Sequence, residues 1–329
     1  MNKKEKTKGQ KGRKAEKPSR IPKAGWKEII FRIKDELTND HISIVSAGVA
    51  YYFFVALFPT LIAAISIYGL VVDPVQVEQQ MNQVAGILPE QASQMISTIL
   101  ENVASQTEET LSWGFGLSMF LSLWFAHNGT SAVFEGINIA YNETDERGFF
   151  KQNGITLLFT IGGIIAGIIC TALVVVFPAL VKSINLPPFL ETLINWLRWP
   201  LLAFLIIGAL GLTYKIAPDR SNPEFRWLST GAVTATALWL AGSLLFSLYI
   251  DNFGNYDEMY GSFAAVIILL LWFFITAFII LLGAEINSEL EHQTQKDTTT
   301  GEDKPMGERG AYHADRVAGM DKKESEEES

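Results

Sequence analysis

The chain has 329 residues, of which 49% are hydrophobic, and its formal net charge is −9. Its one cysteine, Cys170, cannot form a disulfide within the chain, and its four histidines are scattered without the spacing of metal ligands. These counts exclude a disulfide-rich secreted domain and predict neither a metal ion nor another cofactor.

Positive charge is concentrated at the N-terminus. Residues 1–40 hold 13 Lys and Arg against 6 Asp and Glu. We expect residues 1–23 to form a disordered basic tail, because they contain few large apolar side chains that could be buried. The stretch 24–40 is amphipathic, which predicts a helix lying in the membrane interface.

Long apolar runs follow. The one between Ser262 and Ala284 has 23 residues without a charge, and about 20 are enough to cross a bilayer core as a helix. The pattern predicts an all-α polytopic membrane domain at 24–291 with six transmembrane helices. The predicted spans are about 42–72, 111–140, 154–181, 199–217, 228–250 and 260–286.

The distribution of Lys and Arg predicts the orientation of these spans. The stretch 73–110, an amphipathic loop between the first two spans, has no Lys or Arg and six acidic residues. The C-terminal tail at 292–329, which we expect to be acidic and disordered, has six Lys and Arg. Positive charge marks the cytoplasmic side, so both termini are predicted to be cytoplasmic and 73–110 to lie outside.

Four stretches carry a resemblance to a known family. They are "AGVAYYFFVALFPTLIA" (47–63), "GINIAYN" (136–142), "YKIAPD" (214–219) and "YGSFAAVIILLLWFFITAFIILLGAEIN" (260–287). Over roughly 25–290 the chain resembles the YihY/BrkB family of bacterial inner-membrane proteins. The resemblance implies a six-helix protein of the bacterial inner membrane. In that family some members carry a label as a transfer-RNA-processing ribonuclease, one branch is linked to serum resistance, and transport of envelope lipids or solutes has been proposed.

The residues do not favour the nuclease label. Metal-dependent hydrolysis needs clustered carboxylates or histidines on an accessible face, and the sequence has no His-x-His-x-Asp, paired-Asp or Cys-x-x-Cys pattern. The basic tail is better explained by anionic lipid headgroups than by nucleic acid. We therefore predict no catalytic residues and no nucleic-acid partner.

Glu285 stands directly after the last apolar run. A carboxylate at the C-terminal end of a helix opposes the helix dipole, so either the helix continues to about Glu291 or a cation meets the side chain. One interpretation is an interfacial carboxylate paired with Arg147 or Arg220. The other is a gate or coupling acid at the cytoplasmic mouth, with Asn287 beside it.

The second predicted span is interrupted by polar side chains. His127 and Asn128 fall in the inner half of the bilayer, and Glu135 and Asn138 follow them along the helix. Polar groups at that depth need partners or a water-filled cavity; the alternative is that this segment already lies among the headgroups. Tyr51 lies deeper in the first span than an interfacial aromatic belt, and either packs or joins a polar path.

Two functions fit these features. The first is a transporter or lipid-translocating protein of the cell envelope that uses such a polar path. The second is a non-transporting scaffold for envelope machinery that binds a partner protein through 73–110. Polar groups inside the membrane favour the first, and membrane lipids are the expected partners in both. The sequence contains no phosphate-binding Gly-x-x-x-x-Gly-Lys-Ser/Thr run, and it leaves the substrate and the oligomeric state open.

Overall fold

A computed structural model describes residues 11–71, 108–178, 181, 187–252 and 263–319. Within these ranges the chain is helical, and the only β-pairing is an isolated bridge between Pro223 and Thr299. The prediction of an all-α protein is confirmed.

Seven helices of 17 residues or more account for most of the described chain. They are α1 (Lys23–Asn39), α2 (Ile42–Val71), α3 (Glu108–Ala140), α4 (Phe149–Thr171), α5 (Pro188–Ile216), α6 (Phe225–Asn252) and α7 (Phe263–His292). A single 3₁₀ turn (Pro18–Arg20) precedes α1, a π-helical segment (Ala172–Val176) extends α4, and a short α8 (Tyr312–Asp315) follows α7.

Five of these helices are long and apolar enough to cross a membrane: α2, α4, α5, α6 and α7. This confirms a multi-pass membrane protein but not the predicted count of six spans. The predicted span that is missing from these five is the second, 111–140, which corresponds to α3. Glu108 and Glu109 precede its apolar run, and His127 and Asn128 interrupt it. No stretch of α3 therefore reaches the mean hydropathy of the five spanning helices. Residues 73–107 of the predicted outer loop lie outside the described residues.

The ends of two helices follow from local sequence. α5 begins at Pro188, well before the predicted 199, because proline at the first helical position has its φ preset and needs no hydrogen-bond acceptor. α7 runs through Glu285 to His292. No glycine or proline follows Gly283 to stop it, as the sequence predicts.

The described residues divide into two compact units. Unit 1 takes in 11–47, 130–248 and 274–319, and unit 2 takes in 48–129 and 249–273, within the described ranges. Inside unit 2, the rings of Phe53 and Phe273 lie 6.4 Å apart between their centroids. A Cβ atom added to Gly129 would stand 3.0 Å from the Phe53 ring, so a glycine lets α3 and α2 approach there.

Unit 1 carries a module of mainly polar segments and helix ends, here called the polar cap, made of residues 11–41, 138–147, 214–227 and 285–319. Its apolar centre combines the N-terminal segment with helix ends. Six buried residues form it: Ala15, Ile21, Ile29, Trp227, Ile286 and Leu290. The cap therefore joins the first and last parts of the described chain to the ends of α6 and α7.

Both predicted tails differ from expectation in their described parts. Residues 11–22 and 293–319 pack into the polar cap and bond to one another. The Gln295 amide donates to the Arg13 carbonyl at 2.9 Å, and the Thr294 hydroxyl donates to the Ala15 carbonyl at 2.6 Å. Composition predicts disorder because neither segment can bury much apolar surface alone; here each supplies the other's hydrogen-bond partners.

Candidate functional site

The candidate site is a pair of carboxyl groups inside unit 1. Glu285 lies in the last turns of α7 and is 1% exposed. Its carboxyl group faces that of Asp40, the half-buried C-cap residue of α1. His41, between α1 and α2, has a left-handed φ of 50°, which turns the chain sharply after Asp40.

Two carboxylates this close repel each other, and the repulsion is relieved when the pair shares one proton. Burial raises the pKa of Asp40, which favours its protonated form; the nearby Glu289 adds to this shift, while the bond to Glu285 opposes it. One shared proton would leave the pair with one negative charge instead of two.

Glu289, the acid one turn after Glu285, has cations of its own. Arg32 of α1 forms an ion pair with Glu289, and the His292 ring Nδ1 lies 3.6 Å from the other Glu289 oxygen. Glu36, the remaining nearby acid, is half-buried, and burial raises its pKa. Arg32 is thus committed to Glu289 and not to Glu285.

The expected pairing of Glu285 with Arg147 or Arg220 is wrong. Arg147 binds Asp145 through two nitrogens, at 2.8 and 2.6 Å, and also donates to backbone carbonyls at the end of α5. Arg220 binds Glu291. Each arginine meets a carboxylate close to it in the fold, which leaves Asp40 opposite Glu285.

The Arg220–Glu291 ion pair is completely buried. Its Nη2–Oε2 distance is 2.7 Å, and both side chains are 0% exposed. The Thr298 hydroxyl donates to the same carboxylate oxygen at 2.8 Å, and the guanidinium lies 4.8 Å above the Tyr141 ring. Burial by itself would lower the pKa of Arg220, but the charge of Glu291 raises it overall, so the pair stays ionised.

His313 is a second buried titratable group in the polar cap. Its Nδ1 contacts the Ser288 hydroxyl, its Nε2 lies 3.2 Å from the Asn142 amide nitrogen, and its ring stacks on His292 at 4.6 Å. Since an amide nitrogen only donates, Nε2 accepts and the ring proton belongs on Nδ1. Burial, assisted by the charge of His292, lowers the pKa of His313 to about 3, so the ring is neutral.

The two predicted asparagines of unit 1 are hydrogen-bonded to backbone. The Asn287 side-chain oxygen accepts from the Gly231 amide at 2.7 Å, which ties α7 to α6. The Asn138 oxygen accepts from the Asp219 amide at 2.9 Å, and its nitrogen donates to the Phe134 carbonyl at 3.1 Å. Both residues position helix ends and neighbouring loops.

The remaining predicted residues do not join this group. Tyr51, His127 and Asn128 belong to unit 2; Tyr51 is 56% exposed, and the other two are half-buried. Glu135 belongs to unit 1 but its side chain is exposed. The structure thus brings Glu285, Asn287 and Asn138 into the polar cap and leaves the others out of it.

Sequence reasoning missed Asp40. It lies 245 positions before Glu285, at the end of an amphipathic helix where an acid is expected to face water. The one local signal is "NDH" between two helical patterns, which marks a sharp turn but not what the turn faces. Among the described residues, no group of three or more His, Cys, Asp or Glu side chains is placed to hold a metal ion.

Comparison with known proteins places this architecture in a family. The family model described as "Virulence factor BrkB" matches residues 33–307, which include both Asp40 and Glu285. The chain belongs to the BrkB family.

Relatives of this BrkB-family protein are bacterial. A ribonuclease-like protein of Bacillus subtilis, YfkH, is 30% identical over 260 residues, covering 76% of this chain and 90% of that protein. UPF0761 membrane proteins of Idiomarina loihiensis and Aliivibrio fischeri are 25% and 24% identical; they cover 63% and 81% of this chain, and 70% and 84% of their own lengths. No solved structure matches. Together with the apolar helices, these relatives identify a multi-pass bacterial membrane protein.

Proposed function

We propose that this BrkB-family protein is a transporter or lipid-translocating protein of the cell envelope, and that the Asp40–Glu285 carboxyl pair gates it. The observation that carries the proposal is a nearly inaccessible glutamate that faces another acid at the end of a membrane-spanning helix. Ionisable groups in such positions are functional candidates by default, because they are expensive to bury.

The contrast with neighbouring acids supports this reading. Glu289 and Glu291, one and nearly two turns further along α7, are equally buried, yet each is paired with an arginine. A buried carboxylate whose role is only to stabilise the fold needs a cationic partner such as these arginines. Glu285 has the carboxyl group of Asp40 in place of an arginine, and the charge of this pair changes when it gains or loses one proton.

The pair also connects two elements that could move. Asp40 belongs to the turn between α1 and α2, and Glu285 belongs to α7. With one shared proton the two groups hold each other; with both ionised they repel and push the α1–α2 turn away from α7. Half-buried Asp40 provides the contact with solvent, and Glu285 lies on the inner side.

The test is flux through vesicles that contain the purified full chain, with labelled phospholipids and a panel of small ions. Glu285→Gln keeps the shape and lets an amide bond to Asp40, but it cannot lose a proton. Asp40→Asn makes the reciprocal change, and Glu302→Gln, in an exposed part of the polar cap, is the matched control.

We expect the wild type and Glu302→Gln to show the same flux, and both site variants to lose most of it while staying folded. Equal flux in all four proteins would refute the gating role of the carboxyl pair, but it would still show that the protein is a transporter. No flux of any lipid or ion from folded wild-type protein would favour the scaffold, and crosslinking from 73–110 would then identify its partner.

A further inference from the structure

Helix α1 lies at the level where membrane spans end. Its residues Trp26, Ile29 and Ile33 pack against Trp227, in the first turn of α6, and against Ile286 and Leu290, in the last turns of α7. A helix that crosses the beginning of one span and the end of another is held at the boundary between hydrocarbon and water. This placement is independent of what the protein transports.

The packed face of α1 is not its only apolar face. Ile30 is 61% exposed and Phe31 is 57% exposed. With Lys27 and Lys34 they occupy positions i, i+3, i+4 and i+7, which share one side of a helix. Lys23, one turn before Lys27, continues the same side. We call these five residues the basic–apolar stripe.

The chemistry of the stripe is specific. Its three lysines are exposed, and the ion pairs found among the described residues involve none of them. The Lys27 amino group lies 5.9 Å from the centre of the Phe31 ring. The acids Glu28 and Glu36 are on other sides of the helix, where Glu28 pairs with Lys11. The exposed Asp35 stands one turn after Phe31, at the edge of the stripe. Apolar side chains flanked by such lysines suit the surface of an anionic bilayer, where a layer of negatively charged headgroups covers the acyl chains.

We propose that the basic–apolar stripe of α1 binds the headgroups of anionic phospholipids, with Ile30 and Phe31 inserted beside the acyl chains. Charge complementarity selects this occupant: an apolar protein partner would not require three lysines around two apolar side chains. The location of α1 at the ends of α6 and α7 brings the stripe to the headgroup layer without any rearrangement.

The proposal changes the role predicted for this helix. Amphipathicity alone predicts that Ile29 and Ile33 enter the membrane, but the structure buries Ile29 completely and packs Ile33 against the protein core. The lipid-facing side lies about 100° around the helix from that packed face, and there two large apolar residues stand among lysines. Lipid contact therefore involves Ile30, which the hydrophobic pattern places on the apolar face, and Phe31, which it does not.

The first test measures binding of phosphatidylglycerol and phosphatidylcholine to the full chain in neutral detergent by native mass spectrometry. The variant K27Q/K34Q removes two charges from the stripe. The control K14Q/K17Q removes two charges from exposed lysines of the N-terminal segment. A lysine near an anionic surface is worth about a fivefold change in binding, so the stripe variant should bind phosphatidylglycerol about 30-fold more weakly than wild type.

We expect the control pair to change this affinity by about threefold or less, and phosphatidylcholine binding to be the same in all three proteins. Equal losses in both double variants would show a general charge effect and overturn the proposal. Melting in neutral detergent provides the check on folding, and the melting temperature should be unchanged because these exposed lysines take part in none of the ion pairs found among the described residues.

The second test measures depth directly. A spin label at Phe31→Cys, in a Cys170→Ser background, is compared with one at Lys14→Cys in nanodiscs that contain phosphatidylglycerol. We expect the label at 31 to be accessible to oxygen and shielded from an aqueous nickel reagent, and the label at 14 to show the reverse. A label at 31 as open to nickel as the one at 14 would refute lipid insertion.

Discussion

The buried Arg220–Glu291 pair offers a sharp test of how the polar cap is held together. Arg220→Met keeps the length of the aliphatic chain but removes the charge, so Glu291 keeps only the Thr298 hydroxyl as a donor, and the Tyr141 ring loses its cation. Removing one member of a buried pair costs about 3–5 kcal/mol, because the other charge stays buried without compensation. We expect the free energy of unfolding to fall by that amount.

The assay is equilibrium unfolding of the full chain in detergent, followed by tryptophan fluorescence, with two comparison proteins. Arg220→Met/Glu291→Leu removes both charges and should recover at least about 2 kcal/mol of the loss, since replacing a whole buried pair is often nearly neutral. Arg20→Gln breaks an exposed pair with Glu16, whose side chains are 60% and 54% exposed, and exposed pairs are worth less than about 1 kcal/mol. The reasoning is refuted if Arg220→Met stays within about 1 kcal/mol of wild type, or if the double variant is no more stable than the single one.

Three further substitutions probe the packing of unit 1. Between pH 8 and pH 5 the free energy of unfolding should fall by about 2 kcal/mol through His313. The unfolded chain takes up a proton near pH 6.5, whereas the buried ring, with a pKa of about 3, does not; His313→Asn should remove this part of the slope in unfolding curves recorded at several pH values, and an identical slope would contradict it. Gly231→Ala would place a Cβ atom 2.1 Å from the Gly283 carbonyl oxygen and should abolish folded protein in size-exclusion chromatography, while Gly208→Ala, which meets nothing within 4 Å, should not. Asn287→Ala leaves the Gly231 amide without its acceptor and should lower the free energy of unfolding by about 1–3 kcal/mol, whereas a change near zero would mean that water replaces the side chain.

The features that sequence predicts well are those set by short-range pattern. An uncharged run of 23 residues predicts a spanning helix because its length matches a bilayer core, and the absence of a helix breaker after Gly283 predicts that α7 continues past Glu285. The second predicted span, 111–140, is the exception. α3 has the length of a span, but His127 and its polar neighbours lower its hydropathy, so length and composition point in different directions.

Pairings between distant segments could not be predicted. Arg147, Arg220 and Arg32 are equally plausible partners for any of three acids near the end of α7, and sequence offers no way to rank them. The choice depends on where the loop at 214–227 and the helix α1 come to lie, which is settled by packing around Trp227 and Leu290. For the same reason, the contribution of residues 293–319 to the cap could not be predicted: their partners include Arg13, Ser221 and Asn222, which lie far away in the sequence.

The hydrogen bonds between the two ends of the described chain have a consequence for synthesis. The Gln293 amide donates to the Lys11 carbonyl and the Thr294 hydroxyl to the Ala15 carbonyl, across 282 and 279 positions. At about 5–20 residues per second, the ribosome needs roughly 15–60 s to make that interval. The N-terminal segment therefore emerges long before its partners exist, and the polar cap closes only once the last spanning helix has been completed and its continuation released.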